Sequence, residues 1–107
     1  MDLKQYQIVL VNLDPALGSE IKKVRPSVII SPNEINKYLR TIIVAPMTTT
    51  SRKHPTRIEA KHDGKIGWIV IDQIQTIDKQ RIIKNLGTLS KPVIKELKSI
   101  IKKTFVD

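Results

Sequence analysis

The 107-residue sequence predicts a mainly β protein, a small curled barrel covered by one C-terminal helix. Two observations point there. Four runs dense in Ile and Val, the residues that suit a pleated surface, recur along the chain between turn-forming stretches. The C-terminal stretch then changes to apolar residues at helical spacing. At this length residues 1–107 form a single domain, since a chain of this size buries roughly two-thirds of its unfolded surface around one core.

The elements follow in order. "QIVLVNL" from Gln7, "PSVIIS" from Pro26, "TIIVAPM" from Thr41 and "GWIVIDQIQTI" from Gly67 read as strands. A weaker strand, "TRIEAK" from Thr56, is joined to the strand of Trp68 through Asp63-Gly64, a pair that tolerates positive φ and suits an antiparallel hairpin. Pro26 cannot donate to a ladder, so it marks a strand beginning and sets Arg25 at the rim of the sheet. Near the end Ser90 can cap a helix with Pro92 in its first turn, and Val93, Leu97, Ile100 and Ile101 then share one face. The first strand is apolar on both sides: Ile8 and Leu10 point one way, Val9, Val11 and Leu13 the other. Such a strand needs cover twice, and one helix supplies it once, so the pattern asks for a homodimer.

The chain has no cysteine and two histidines, His54 and His62, which leaves no disulfide, no thiol nucleophile and no metal cluster. The N-terminus lacks the apolar core of a signal peptide, and no run approaches the roughly 18 apolar residues of a membrane span, so a soluble cytoplasmic protein is expected. With 19 Lys and Arg against 10 Asp and Glu the formal charge is +9, which favours an anionic partner, nucleic acid before an acidic protein. Part of that excess sits in "KELKSIIKK" and reads equally well as the wet face of a helix. Four aromatics, Tyr6, Tyr38, Trp68 and Phe105, are too few for a platform stacking several bases in series.

Arg25, held between a proline and the loop from Asp14 to Val24, is either a preorganised cation whose planar fork suits a phosphate or half of a rim ion pair with Glu20. Thr48, in "TTT" at a strand end, reads on its own as a turn threonine. Gln73 shares a strand face with Ile69 and Ile71 and suits an edge or an interface. His54 and His62 read as surface turn residues, and Trp68 as core or interface.

"VNLDPALGSE", "VRPSVIIS", "VAPMTT" and "IDQIQTIDKQRI", in this order and followed by a C-terminal helix, resemble the MazF and PemK family of bacterial toxins over almost the whole chain. The resemblance implies an SH3-like barrel that cuts single-stranded RNA without a metal or other cofactor and is silenced by an antitoxin protein. It implies Arg25 and Thr48 as catalytic residues, and Asp14, Leu17, Ser19, Glu20 and Gln73 as residues near the bound RNA. Lys22 and Lys23 replace glycines common in the family's first loop, and "KQYQI" stands where many relatives begin with Gly-Asp. The same fold also occurs in toxins that poison DNA gyrase through a protein interface, and a basic barrel can bind RNA without cutting it; the pair Arg25 and Thr48 favours cleavage.

Overall fold

The computed structural model describes residues 2–13, 24–49, 54–62 and 65–106. The strands are β1 (Gln7–Asn12), β2 (Val24–Ile29), β3 (Thr41–Thr48), β4 (Arg57–His62), β5 (Lys65–Val70), β6 (Gln75–Asp78) and β7 (Ile82–Thr88). A short helix α1 (Asn33–Tyr38) links β2 to β3, and α2 (Lys91–Ile101) closes the chain with a final π-type turn, Lys102–Val106. One antiparallel sheet runs in the order β4-β5-β3-β2-β1-β7, with β6 also paired to β3. Mainly β with a C-terminal helix, as expected, the sheet is curled rather than closed.

The double apolar alternation of β1 is real, and Ile8 on one side and Val9, Val11 and Leu13 on the other are buried within the chain, while Leu10 is half-buried and belongs to neither core. Ile8 enters one core with Val28, Met47, Ile58 and Ile69, covered by α2 through Leu97, Val93, Ile94, Ile100 and Ile101. Val9, Val11 and Leu13 enter a second core with Ile29, Ile42, Val44 and Ile77, enclosed by the curl of the sheet and by Leu3 and Ile82. Val9, Val11, Ile29, Ile42 and Val44 are all fully buried. The sheet itself therefore provides most of the second cover that the sequence reading assigned to another copy. Apolar surface left for a partner lies elsewhere, at Val24 (43% exposed) and Ile83 (50%) among others.

Pro26 lies inside β2, paired with Leu10, rather than at its start. It is tolerated because β3 pairs only with Ser27, Val28 and Ile29, leaving that flank of β2 without a ladder at Pro26. The run from Gly67 is not one strand. Extending the register of β5, in which Met47 faces Ile69, would set Val44 against Asp72; Val44 instead faces Gln75. Three residues are extra, and the 3-10 turn Ile71–Gln73 absorbs them. The hairpin of β4 and β5 has the expected antiparallel pairing, with His62 in β4 opposite Lys65 rather than in a loop, while Asp63-Gly64 lies outside the described residues.

Helix α2 forms where expected, with Pro92 in its first turn, and Ser90 is its cap residue by backbone geometry. Its side chain makes no capping bond; the carbonyl of Ser90 accepts from Ile94 instead. Tyr6, at φ 70°, donates its N–H to Ile29 and accepts from Leu89, tying β2 to the segment before α2. Lys98 lies 5.7 Å from the centre of its ring, and burial pushes the phenol above its ordinary pKa.

Candidate active site

Arg25 and Thr48 lie at the same end of neighbouring strands. The last pair of the β2–β3 ladder is Ser27 with Pro46, and Arg25 and Thr48 are each two residues beyond it, where the register of that ladder would set them opposite each other. Thr48 pairs in turn with Trp68, and Trp68 with Glu59. Directly opposed residues share a sheet face, so Thr48, Trp68 and Glu59 form one row across β3, β5 and β4, and Arg25 lies at the same end of the neighbouring β2, beyond its last pair with β3. The row sits where the β2–β3 ladder has already ended, at the end of these strands remote from α1.

Arg25 is half-buried, and its Nε is enclosed without a hydrogen-bond acceptor among the described residues. A guanidinium stays charged at any physiological pH, and an enclosed donor left unpaired costs about 1–3 kcal/mol. An anion arriving at that nitrogen would remove the penalty. Glu20, the partner in the competing ion-pair reading, lies outside the described residues, as do Asp14, Leu17, Ser19, Lys22 and Lys23.

Gln73 reaches the same neighbourhood from the other flank of β3. It is half-buried on the three-residue turn, opposite Ala45 and Pro46, and its place is set by that turn rather than by strand alternation with Ile69. The turn is held from below and from the side. Ile71 is buried in the first core and donates its N–H to the carbonyl of Thr56 at 2.9 Å. The Thr56 hydroxyl donates to Asp72 Oδ1 at 2.9 Å, and Arg57 Nε lies 3.6 Å from the same oxygen. His54 belongs to this arrangement as a turn residue: its Nδ1 is 2.8 Å from Thr56 Oγ1 and 3.3 Å from the Thr56 N–H.

Of the two expectations for Trp68, core or interface, the structure overturns the first. It is half-buried and belongs to neither apolar core among the described residues; it stands beside Thr48 with Glu59 on its other side. Sequence reasoning could not place it there, because β-strand position says nothing about which strand is the neighbour. Among the described residues no group of three or more His, Asp or Glu is placed to hold a metal ion.

Residues 4–105 match the family described as PemK-like, MazF-like toxin of type II toxin-antitoxin system. The chain belongs to that family. This toxin is 35% identical over 105 residues to an endoribonuclease MazF of Staphylococcus saprophyticus, covering 92% of this chain and 88% of the relative. Its fold is that of MazF from Deinococcus radiodurans, with a TM-score of 0.85 at 20% identity over 96% of both chains. It is equally that of a mycobacterial endoribonuclease solved in complex with its cognate antitoxin, with a TM-score of 0.80 at 20% identity over 94% of this chain and 92% of the other.

Proposed function

We propose that this toxin is an endoribonuclease that cuts single-stranded RNA, messenger RNA above all, at the phosphate held between Arg25 and Thr48. The observation that supports the proposal is the arginine: family membership leads to an RNA-cutting toxin, and Arg25, with an enclosed donor that has no acceptor among the described residues, lies at the same sheet end as the Thr48 hydroxyl. In the reaction the ribose 2'-oxygen attacks the adjacent phosphorus, giving up its proton to a base. The bond from phosphorus to the 5'-oxygen breaks, and that oxygen takes up a proton. The products are a 2',3'-cyclic phosphate and a free 5'-hydroxyl. Negative charge builds on the non-bridging oxygens, and the Arg25 guanidinium and the Thr48 hydroxyl are the groups that meet it. Glu20 is the candidate base, and Gln73, fixed on its turn, holds the RNA beside the cut.

Because these two side chains stabilise the charge, the reaction needs no metal ion. Cleavage of a labelled single-stranded RNA is therefore expected to be unchanged in EDTA, with products bearing a 5'-hydroxyl. Activity lost on chelation and restored by magnesium would overturn the mechanism.

Control follows from charge. A protein of +9 is held in check by an acidic antitoxin segment whose carboxylates take the place of phosphates at Arg25, in the cytoplasm where both are made. The working form is a homodimer joined through apolar surface that the two cores leave outside, such as that at Val24 and Ile83. Sedimentation equilibrium at micromolar concentration is expected to give twice the chain mass of 12.2 kDa, and a monomer would refute the assembly. No helix among the described residues is long and apolar enough to cross a membrane.

A further inference from the structure

Beyond Thr48 the row continues into a pocket. About 340 Å³ in volume, it lies between β4, the start of that strand and α2, and is lined by Trp68, Glu59, Arg57, His54, Glu96 and Ile100. That volume is near the lower end of the range for small-molecule sites, roughly 300–1,000 Å³, and suits one flat group rather than a duplex. Its chemistry is unlike the rest of this basic protein. Glu59 and Glu96 are both exposed, and neither makes a hydrogen bond or ion pair among the described residues, while Arg57 is already engaged by Asp72. Two free carboxylates repel phosphate, so this is no place for the RNA backbone or for an acidic protein segment. They accept hydrogen bonds, and Trp68 and Ile100 offer apolar surface against which a planar ring can lie.

We infer that this pocket takes an unpaired purine base of the RNA, with guanine preferred, against Trp68 and with its Watson–Crick edge on Glu59 or Glu96. Sequence-specific recognition of single-stranded RNA works in this way, by stacking a splayed base on an aromatic ring and bonding its edge. Guanine presents two adjacent donors, the N1–H and the N2 amino group, which match the two oxygens of one carboxylate. Adenine and cytosine present one amino donor beside an acceptor. Uracil presents one imino donor flanked by two carbonyl oxygens, which a carboxylate repels. Trp68 pairs directly with Thr48, so the base enters one strand away from the phosphate proposed to be cut. The inference rests on that reading for its place along the RNA, and the pocket itself can be tested without any cleavage.

Trp68 is the sole tryptophan of the chain, so its fluorescence reports on this pocket alone. The wild-type protein is titrated with guanosine 5'-monophosphate, uridine 5'-monophosphate and ribose 5-phosphate, none of which contains a bond to be cut. Saturable quenching is expected with the guanosine nucleotide, at least about 10-fold weaker binding with the uridine nucleotide, and none with the sugar phosphate. Glu59→Gln and Glu96→Gln together should erase the preference for guanine. Equal quenching by ribose 5-phosphate, no saturable quenching by either nucleotide, or an undiminished preference in the double variant would overturn the inference, whether or not the protein cuts RNA. On a cleaved RNA, Trp68→Ala should raise KM roughly 5- to 100-fold, the range for loss of one base–aromatic stack, and Trp68→Phe should recover most of it. An unchanged KM in a folded Trp68→Ala protein would equally refute it.

Discussion

Arg25→Ala is expected to cut single-stranded RNA about 100- to 1,000-fold more slowly than the wild type, the usual loss when one preorganised donor to a developing charge is removed. The same variant should still bind RNA, because affinity comes mostly from many Lys and Arg contacts to phosphates spread over a +9 protein. It should also melt no lower than the wild type, since the guanidinium Nε it loses is an enclosed donor with no acceptor among the described residues. Thr48→Val, which keeps the shape and removes the hydroxyl, should show the same division between rate and binding. Single-turnover cleavage and filter retention on the same RNA separate the two quantities. An Arg25→Ala protein that retains most of its activity would return the arginine to a structural role at the sheet rim.

The second large effect concerns stability. Leu97→Ala is expected to destabilise the protein by about 2–5 kcal/mol, a large share of the roughly 5–15 kcal/mol that a domain of this kind has in total. Helix α2 has 11 residues, short of the length at which a helix holds in water by itself, so its packing holds it in place. Leu97 is the one residue of α2 that is completely buried, and it meets the first core at its centre. Met47 and Ile69 belong to that core and are the immediate chain neighbours of Thr48 and Trp68, so loosening α2 loosens the backing of that pair. Urea unfolding followed by circular dichroism measures the loss. A change below about 1 kcal/mol would show that the helix is held by other contacts.

What could be read in the sequence was whatever apolar pattern decides. The strands β1, β2, β3 and β5 and the buried face of α2 carry enough Ile, Val and Leu at the right period to announce themselves. Helix α1 does not, because it is held by polar bonds: Ser31 Oγ donates to Asn36 Oδ1 at 2.5 Å, Asn36 Nδ2 to the carbonyl of Ser31 at 2.8 Å, and Lys79 to the carbonyl of Asn36. Strand β7 escaped for the opposite reason: most of its residues are exposed, and it interrupts its own alternation with two register shifts against β1. The turn at Ile71–Gln73 hid inside an unbroken apolar run, since a three-residue insertion changes pairing without changing composition. The proposed catalytic pair itself came from the resemblance. Nothing local to Arg25 or Thr48 reveals that the two lie at the same end of neighbouring strands, because that is a property of how β2 and β3 are registered.

Strand β1 is a wall common to both cores. Ile8 is held in the core under α2, and Val9 and Val11 of the same strand in the enclosed one, so unfolding is expected to take both cores together. Arg25 is paired to β1 at Val11, so the position of the cation is expected to be lost in the same event. A half-folded form that keeps one core is not a route to silence, and a molecule that stays folded is switched off from outside, by what binds it, rather than by partial unfolding.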